Sequence, residues 1–170
     1  MPLSSQLSAM IRRKIDEAKH HREKEIEIKV LKPLLDLQEQ RSLLPGLNEF
    51  LIEQLETEEG HHCFFFPFEG RLVHEGMAAL FAYRIALVRP ITFSIAMNDY
   101  GFELLSDAPI PLEEAIAQDL FSTDDLLAYI QASVNATEMA MRRFREVARI
   151  AGLVFQGFPG QGQSSRELQA

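Results

Sequence analysis

The stretch that decides the fold is Gly60–Ser106, GHHCFFFPFEGRLVHEGMAALFAYRIALVRPITFSIAMNDYGFELLS. His62 to Phe66 holds three phenylalanines in a row, so a strand there is apolar on both faces and belongs inside a sheet or under cover on both sides. Pro67 ends it. Residues 71–88 then read as a helix, with Leu72, Val73, Met77, Leu80, Phe81, Ile85, Leu87 and Val88 spread nearly all round, which places it in the middle of a domain. Gly76, Ala78, Ala79, Ala82 and Ala86 let it approach a sheet closely. After Arg89-Pro90, residues 91–98 alternate: Phe93, Ile95 and Met97 take one face, Thr92, Ser94, Ala96 and Asn98 the other. Asn98-Asp99-Tyr100-Gly101 is a turn signal, and Phe102–Leu105 returns as the second arm of a hairpin. The fold class is α+β: a small antiparallel sheet of at least three strands packed on a central apolar helix, with flanking N- and C-terminal helices.

Upstream, residues 8–31 read as one charged helix with Leu7, Ile11, Ile15 and Ala18 along a single stripe. Pro33 is expected to interrupt it, because proline has no N–H for the ladder and its ring clashes with the preceding turn. A short helix follows from Leu34 to Gln40. Asn48 is read as the N-cap of another helix ending near Thr57. Downstream, Ala108-Pro109-Ile110-Pro111 is a rigid break before a short helix over 112–118. Ser122 with Asp125, and Asn135 with Glu138, are capping-box-like starts that predict helices over 124–132 and 136–151. The organisation expected is a charged helical arm over 1–32, an α+β domain over 33–156 and a flexible Gly/Gln/Ser-rich tail over 157–170.

Forty-six per cent hydrophobic content in 170 residues is enough for one domain with a real core. No apolar run reaches the roughly 18 residues of a membrane span, and the N-terminus lacks the apolar core of a secretory signal. The single cysteine, Cys63, cannot pair within the chain and fits a reducing cytoplasm. The net charge of −8 argues against a whole-surface nucleic-acid binder, yet it is uneven. Residues 1–32 hold eight cations against five acids, residues 33–70 one against eight, and residues 71–170 eight against twelve. Local basic stripes on such a chain can still meet a phosphate backbone.

There is no GxxxxGK[ST] loop and no DExH or DExD tetrapeptide, so the chain has no phosphate cradle with its Mg²⁺ carboxylate. It is not expected to be an enzyme by itself, and no cofactor is expected. His61-His62-Cys63 with His74-Glu75 is the one cluster of metal-ligand residue types. Adjacent strand residues point to opposite faces, so His61 and His62 do not easily share an ion, and the plainer reading is strand-edge or core histidines. Arg142, Arg145 and Arg149 fall on one face of the last helix with Arg143 beside them, a candidate stripe for nucleic-acid phosphates. Weighed against it is a solvated face or pairing with the acidic 49–59 segment. Arg12, Arg13 and Lys14 read as paired with Asp16 and Glu17 nearby. Arg84 reads as a structural ion pair, and Arg71 as pairing locally with Glu69 or Glu75. Phe64, Phe65, Phe66, Phe81 and Phe93 are rings of the kind that stack bases, but at these strand and helix positions they read as core.

The segments EGHHCFFFPFEGRLVHEG (59–76), PITFSIAMNDYGFELLSD (90–107) and RIAGLVFQGFPG (149–160), with a weaker match in LKPLLDLQEQ (31–40), resemble the C-terminal DEAD/H-associated domain of Lhr-type, DNA-ligase-associated DEXH-box DNA helicases. The likeness covers residues 28–170. It implies an accessory α+β module of an ATP-dependent 3′-to-5′ helicase of DNA repair. Its partners would be motor and winged-helix domains, single-stranded DNA and a DNA ligase complex, with no membrane. The motor and winged-helix modules of that family have no counterpart in this sequence, so the chain is expected to be an excised fragment, a split subunit or a remnant of a broken gene. Two rival readings are a protein-interaction module resembling a secretion chaperone and a small metal-dependent hydrolase.

Overall fold

The aromatic run at 62–66 becomes an inner strand of a four-stranded sheet. The structure, a computed structural model, describes residues 5–20 and 26–136. Its elements are α1 (Ser5–Lys19), α2 (Ile26–Arg41), β1 (Leu51–Thr57), β2 (Gly60–Phe66), α3 (Arg71–Val88), β3 (Ser94–Met97), β4 (Phe102–Ser106) and α4 (Leu112–Ala117), with a fifth helix, α5, starting at residue 126. One compact unit ends at Ser133 and a second begins at Val134, whose described residues, 134–136, are helical. The sheet and its core belong to the first unit.

The strands run antiparallel in the order β1-β2-β4-β3. Registers Leu51↔Phe66, Cys63↔Leu104 and Ile95↔Leu104 fix which side chains share a face. Because strand side chains alternate, Cys63, Phe65, Phe102 and Leu104 point together into a core with Ala78, Phe81 and Ile85 of α3. Leu112, Ala115 and Leu120 complete it. Phe65, Ile85, Leu104 and Leu120 are almost wholly buried, each worth roughly 1.5–3 kcal/mol of hydrophobic stabilisation. The core rings are mutually braced: Phe65 stacks on Phe102 at 4.7 Å and lies 5.4 Å from Phe81.

Two glycines set how tightly the strands approach. Gly60 has φ +133°, and a Cβ there would stand 2.6 Å from the Ser106 carbonyl. At Gly101 a Cβ would come 2.3 Å from the Phe65 carbonyl oxygen, so only glycine lets the β3–β4 turn close on β2. That turn is shaped by Asn98, whose Oδ1 accepts the N–H groups of Tyr100 (2.8 Å) and Gly101 (3.0 Å).

The expected α+β class, the 71–88 helix, the central aromatic strand and the 91–105 hairpin all appear. Several local expectations do not. The helix expected from Asn48 to Thr57 is strand β1, paired along its length with β2 through the Glu58-Glu59 turn. Leu51, Ile52 and Leu55 suit either period over so short a run, and pairing with an aromatic strand outweighs local propensity. Pro33 lies inside α2 rather than ending a helix. Pro33 and Lys29 are both exposed, so water can take the Lys29 carbonyl that proline leaves without a partner. The single helix expected over 8–31 is two, α1 ending at Lys19 and α2 starting at Ile26. Ser122 does not cap a helix: its Oγ accepts the Asp124 N–H at 3.0 Å, Asp125 takes φ +50°, and α5 begins at 126 and runs past 132 to 136. The helix expected over 136–151 falls almost wholly outside the described residues.

Candidate functional site

The histidine–cysteine cluster does not assemble into a ligand set. His62 points to the outer face of the sheet, while Cys63 points inward and is fully buried. Desolvation pushes the Cys63 thiol up to about 12, the reverse of what a metal-binding or nucleophilic thiolate needs. His74 is also fully buried, and its ring is spent on structure: Nε2 accepts the Glu69 N–H at 3.0 Å, and Nδ1–H donates to the Asn98 carbonyl at 2.7 Å. It ties the start of α3 to the β3–β4 turn. Among the described residues no group of three or more His, Cys, Asp or Glu could hold a metal ion.

On the outer face, His62 joins three strands. Its Nδ1–H donates to Glu103 Oε1 of β4 at 2.5 Å, and its Nε2 accepts the hydroxyl proton of Thr57 of β1 at 2.7 Å. The Thr57 oxygen in turn accepts the Glu59 N–H at 3.1 Å, so the chain of bonds fastens the β1–β2 turn. His62, Phe64 and Phe66 form a near-parallel ring ladder with centroid spacings of 5.8 and 6.4 Å. Gln38 of α2 donates to Glu53 Oε1 at 3.1 Å, and the Ser42 hydroxyl shares that oxygen. α2 is thus tethered over β1. The side away from the buried Ile28 carries Ile26, Val30, Leu34 and Leu37, spaced three and four apart and all exposed, Ile26 at 77% and Val30 at 72%.

The cations the sequence singled out divide three ways. Arg142, Arg143, Arg145 and Arg149 lie outside the described residues. Arg13 and Lys14 sit on Glu17 at 3.8 and 3.1 Å, as their spacing indicates. Arg12 instead reaches across the fold to Glu69 at 2.6 Å, while Asp16 accepts the Leu47 N–H at 3.0 Å. Arg71 therefore does not have Glu69; its backbone N–H donates to Asp99. The ion pair expected at Arg84 does not form with any described residue. Among the described residues no carboxylate lies within ion-pair distance of it, although it is only 8% exposed. Its Nη1 donates to the carbonyls of Leu120 (2.9 Å) and Ser122 (2.8 Å), and the guanidinium sits 4.5 Å over the Tyr129 ring. Carbonyl dipoles and an aromatic face replace the acid.

Beside Arg84 opens a groove of about 740 Å³ between the ends of β1 and β2, α3 and the 120–126 segment. Phe50, Phe66, Phe81 and Phe121 line it together with Met77. Arg12 with Glu69, and Glu49, stand along it. Glu49 accepts from Lys19 Nζ at 2.5 Å and from the Gly46 N–H at 2.7 Å, which holds its carboxyl below the usual value. The groove brings these rings together with the buried Arg84.

Residues 44–170 match the family model described as DEAD/H associated. The chain belongs to the DEAD/H-associated family. Its domain is similar, at 30% identity over 71% of the chain, to the ATP-dependent helicase Lhr-Core of Methanocaldococcus jannaschii, and at 29% over 75% to Lhr-Core protein 2 of Thermococcus barophilus. It is therefore an Lhr-type DEAD/H-associated domain. The chain spans only 14% and 15% of those two relatives. Its fold is also that of a part of the Mycobacterium smegmatis helicase Lhr, solved bound to ssDNA and AMP-PNP. The likeness has a TM-score of 0.63 at 21% identity and covers 97% of this chain and 23% of that one.

Sequence reasoning missed the groove because it read Phe50 as part of a helix and gave Phe121 no role. Arg84 was singled out, but its partners are backbone carbonyls, which no residue pattern reveals.

Proposed function

We propose that this DEAD/H-associated domain is the non-motor accessory module of an ATP-dependent 3′-to-5′ DNA helicase of DNA repair. In this reading it docks on motor and winged-helix domains in the cytoplasm, helps to position single-stranded DNA, and carries out no chemistry of its own. The observation that carries the reading is the family match over residues 44–170, in relatives named as ATP-dependent helicases of which this domain is one-seventh. Two features of the molecule support it. The exposed apolar stripe Ile26–Val30–Leu34–Leu37 on α2 is the kind of surface that a neighbouring domain covers. The buried aromatic core under α3 gives a rigid body to hold a strand in place.

The arginines Arg142, Arg143, Arg145 and Arg149 are proposed as phosphate contacts, and a DNA ligase complex as a further partner. Adding the chain in trans to a helicase motor lacking this domain should raise DNA binding or unwinding. An inert result from correctly folded protein would reject the accessory role. Arg142→Glu combined with Arg149→Glu should weaken DNA affinity of the reassembled helicase, and unchanged affinity would clear those residues. The exposed stripe on α2 also favours a second reading, an interaction module for a free partner peptide, which resembles a secretion chaperone in function. That reading predicts no affinity for oligonucleotides and a weak salt dependence of partner binding.

A further inference from the structure

We infer that the groove beside Arg84 is a slot for a single nucleotide of single-stranded DNA, its base against Phe121 and Phe50 and its phosphate against Arg84. The inference rests on the proposed positioning of single-stranded DNA and adds where one base would sit. The ring arrangement comes first. Phe121 is 43% exposed and Phe50 37% exposed, so each presents ring surface to the groove. They meet at 5.9 Å and 82°, and Phe121 also meets Phe81 at 5.5 Å and 74°. Behind Phe50 lies Phe65, 6.2 Å away in the core. Braced from behind, the two rings lose little freedom when a base stacks on them, and stacking tolerates any base because each has a π-face.

Charge decides the second half. Of the groove's charged side chains, Glu49 is neutralised by Lys19 and Glu69 by Arg12, which leaves Arg84. It is more than nine-tenths buried, it has no carboxylate partner among the described residues, and its Nη1 alone is engaged by carbonyls. Among the described residues its Nε and Nη2 have no hydrogen-bond partner, and they are not among the sealed, unsatisfied atoms. A cation held this way gains from an incoming anion, since burial without a counter-charge is costly. Arg84 also borders a smaller cavity of about 280 Å³ lined by Asp119, Asp124 and Asp125. Those acids repel a phosphate on that side and leave the aromatic groove as the route of approach. They also confine the contact to one phosphate, because no basic track continues from the groove among its lining residues.

The test uses the chain as it stands and a fluorescent ten-residue oligothymidylate, read by anisotropy across a salt series. Arg84→Gln should make the log–log salt slope shallower by about 0.7, the share of one phosphate on a single strand, and an unchanged slope would overturn the phosphate contact at Arg84. Phe121→Leu keeps apolar bulk without the ring and should weaken binding about five- to a hundred-fold, the range of losing one base stack. Placing 5-iodo-deoxyuridine in the oligonucleotide and irradiating should give adducts at Phe121 or Phe50 by mass spectrometry. An abasic residue at the crosslinking position should lose the same factor with the protein untouched, which covers the case in which Phe121→Leu fails to fold. If the wild-type chain binds but Phe121→Leu, Phe50→Leu and the abasic substitution change nothing, the slot is wrong and the positioning role survives. If the wild-type chain does not bind the oligonucleotide even at low salt, both fall. Loss of affinity for the helicase's other domains in Phe121→Leu, with DNA binding intact, would reassign the groove to a protein anchor and overturn the inference.

Discussion

The two faces of the sheet are built from the same strands and do different work. Facing α3, Cys63, Phe65, Phe102 and Leu104 are sealed from water with no hydrogen bond asked of their side chains. Facing outward, His62 is hydrogen-bonded to Glu103 and Thr57, Glu53 is bonded to Gln38 and Ser42 of the α2 region, and Phe64 and Phe66 are only half-buried. A single residue step along β2 crosses from one regime to the other, at His62 to Cys63. Apolar burial scales with area and needs no direction, so it supplies the stability; the outer network is directional, and its net contribution per bond is small. The difference explains how a module can keep one rigid side while leaving another for contacts.

The sharpest way to break this contrast is to truncate the same ring on each face. Phe65→Ala should cost about 3–5 kcal/mol, read as a shift of the urea midpoint at unchanged slope. Phe64→Ala, one step along the strand and half-buried, should cost less than half as much. Equal losses would mean that the outer ladder is as much a core as the inner one. Gly101→Ala ranks next. Its Cβ would collide with the Phe65 carbonyl at 2.3 Å, so the β2–β4 pairing common to both faces must shift, at about 2 kcal/mol. Unchanged stability would show that the turn has room to move.

Legibility from sequence followed the same division. The inner face was readable because Phe65, Ile85 and Leu104 combine bulk with the right period, and α3 could be bounded by Gly70 before it and Pro90 after it. β1 was not readable, since LIEQLET alternates no better than it repeats every four residues; only its pairing with β2 makes it a strand. Of the site, Arg84 stood out as a cation in an apolar helix, but the groove depends on Phe50 and Phe121 meeting across 71 positions of sequence. Long-range contacts of that kind leave no local trace. Pro33 misled for a related reason: its cost is real, but an exposed helix can meet it with water.

A milder perturbation reads the inner face through its one thiol. Cys63 is held up to about 12 in the folded protein, against about 8.5 for a thiol in an unfolded chain. Between those values the folded state keeps a proton that the unfolded state has lost. The unfolded state therefore binds fewer protons, and stability falls as pH rises from about 8.5 toward 12, with a limiting slope of about 1.4 kcal/mol per pH unit. Cys63→Ser should remove that alkaline component. A wild-type stability flat from pH 8.5 to 10, after subtraction of the Cys63→Ser curve, would contradict the sealed environment. Below pH 8 the thiol should react with a disulfide reagent only at the rate of unfolding.

The smallest effect belongs to the outer face. Gln38→Ala removes the 3.1 Å bond from α2 to Glu53, while the Ser42 hydroxyl still reaches the same carboxylate oxygen. Glu53 is half-buried and stays partnered, so the loss should be about 1 kcal/mol or less. Its signature should be local: faster amide exchange in α2 with unchanged protection in β2 and β4, because α2 is tethered through side chains whereas the strands share a backbone ladder. If protection fell equally in β2, α2 would belong to the same cooperative unit as the core, and the exposed stripe along Ile26, Val30, Leu34 and Leu37 would sit on a rigid support. If only α2 responds, that stripe rides on the most easily displaced element of the domain, and docking on it would order the helix as it binds.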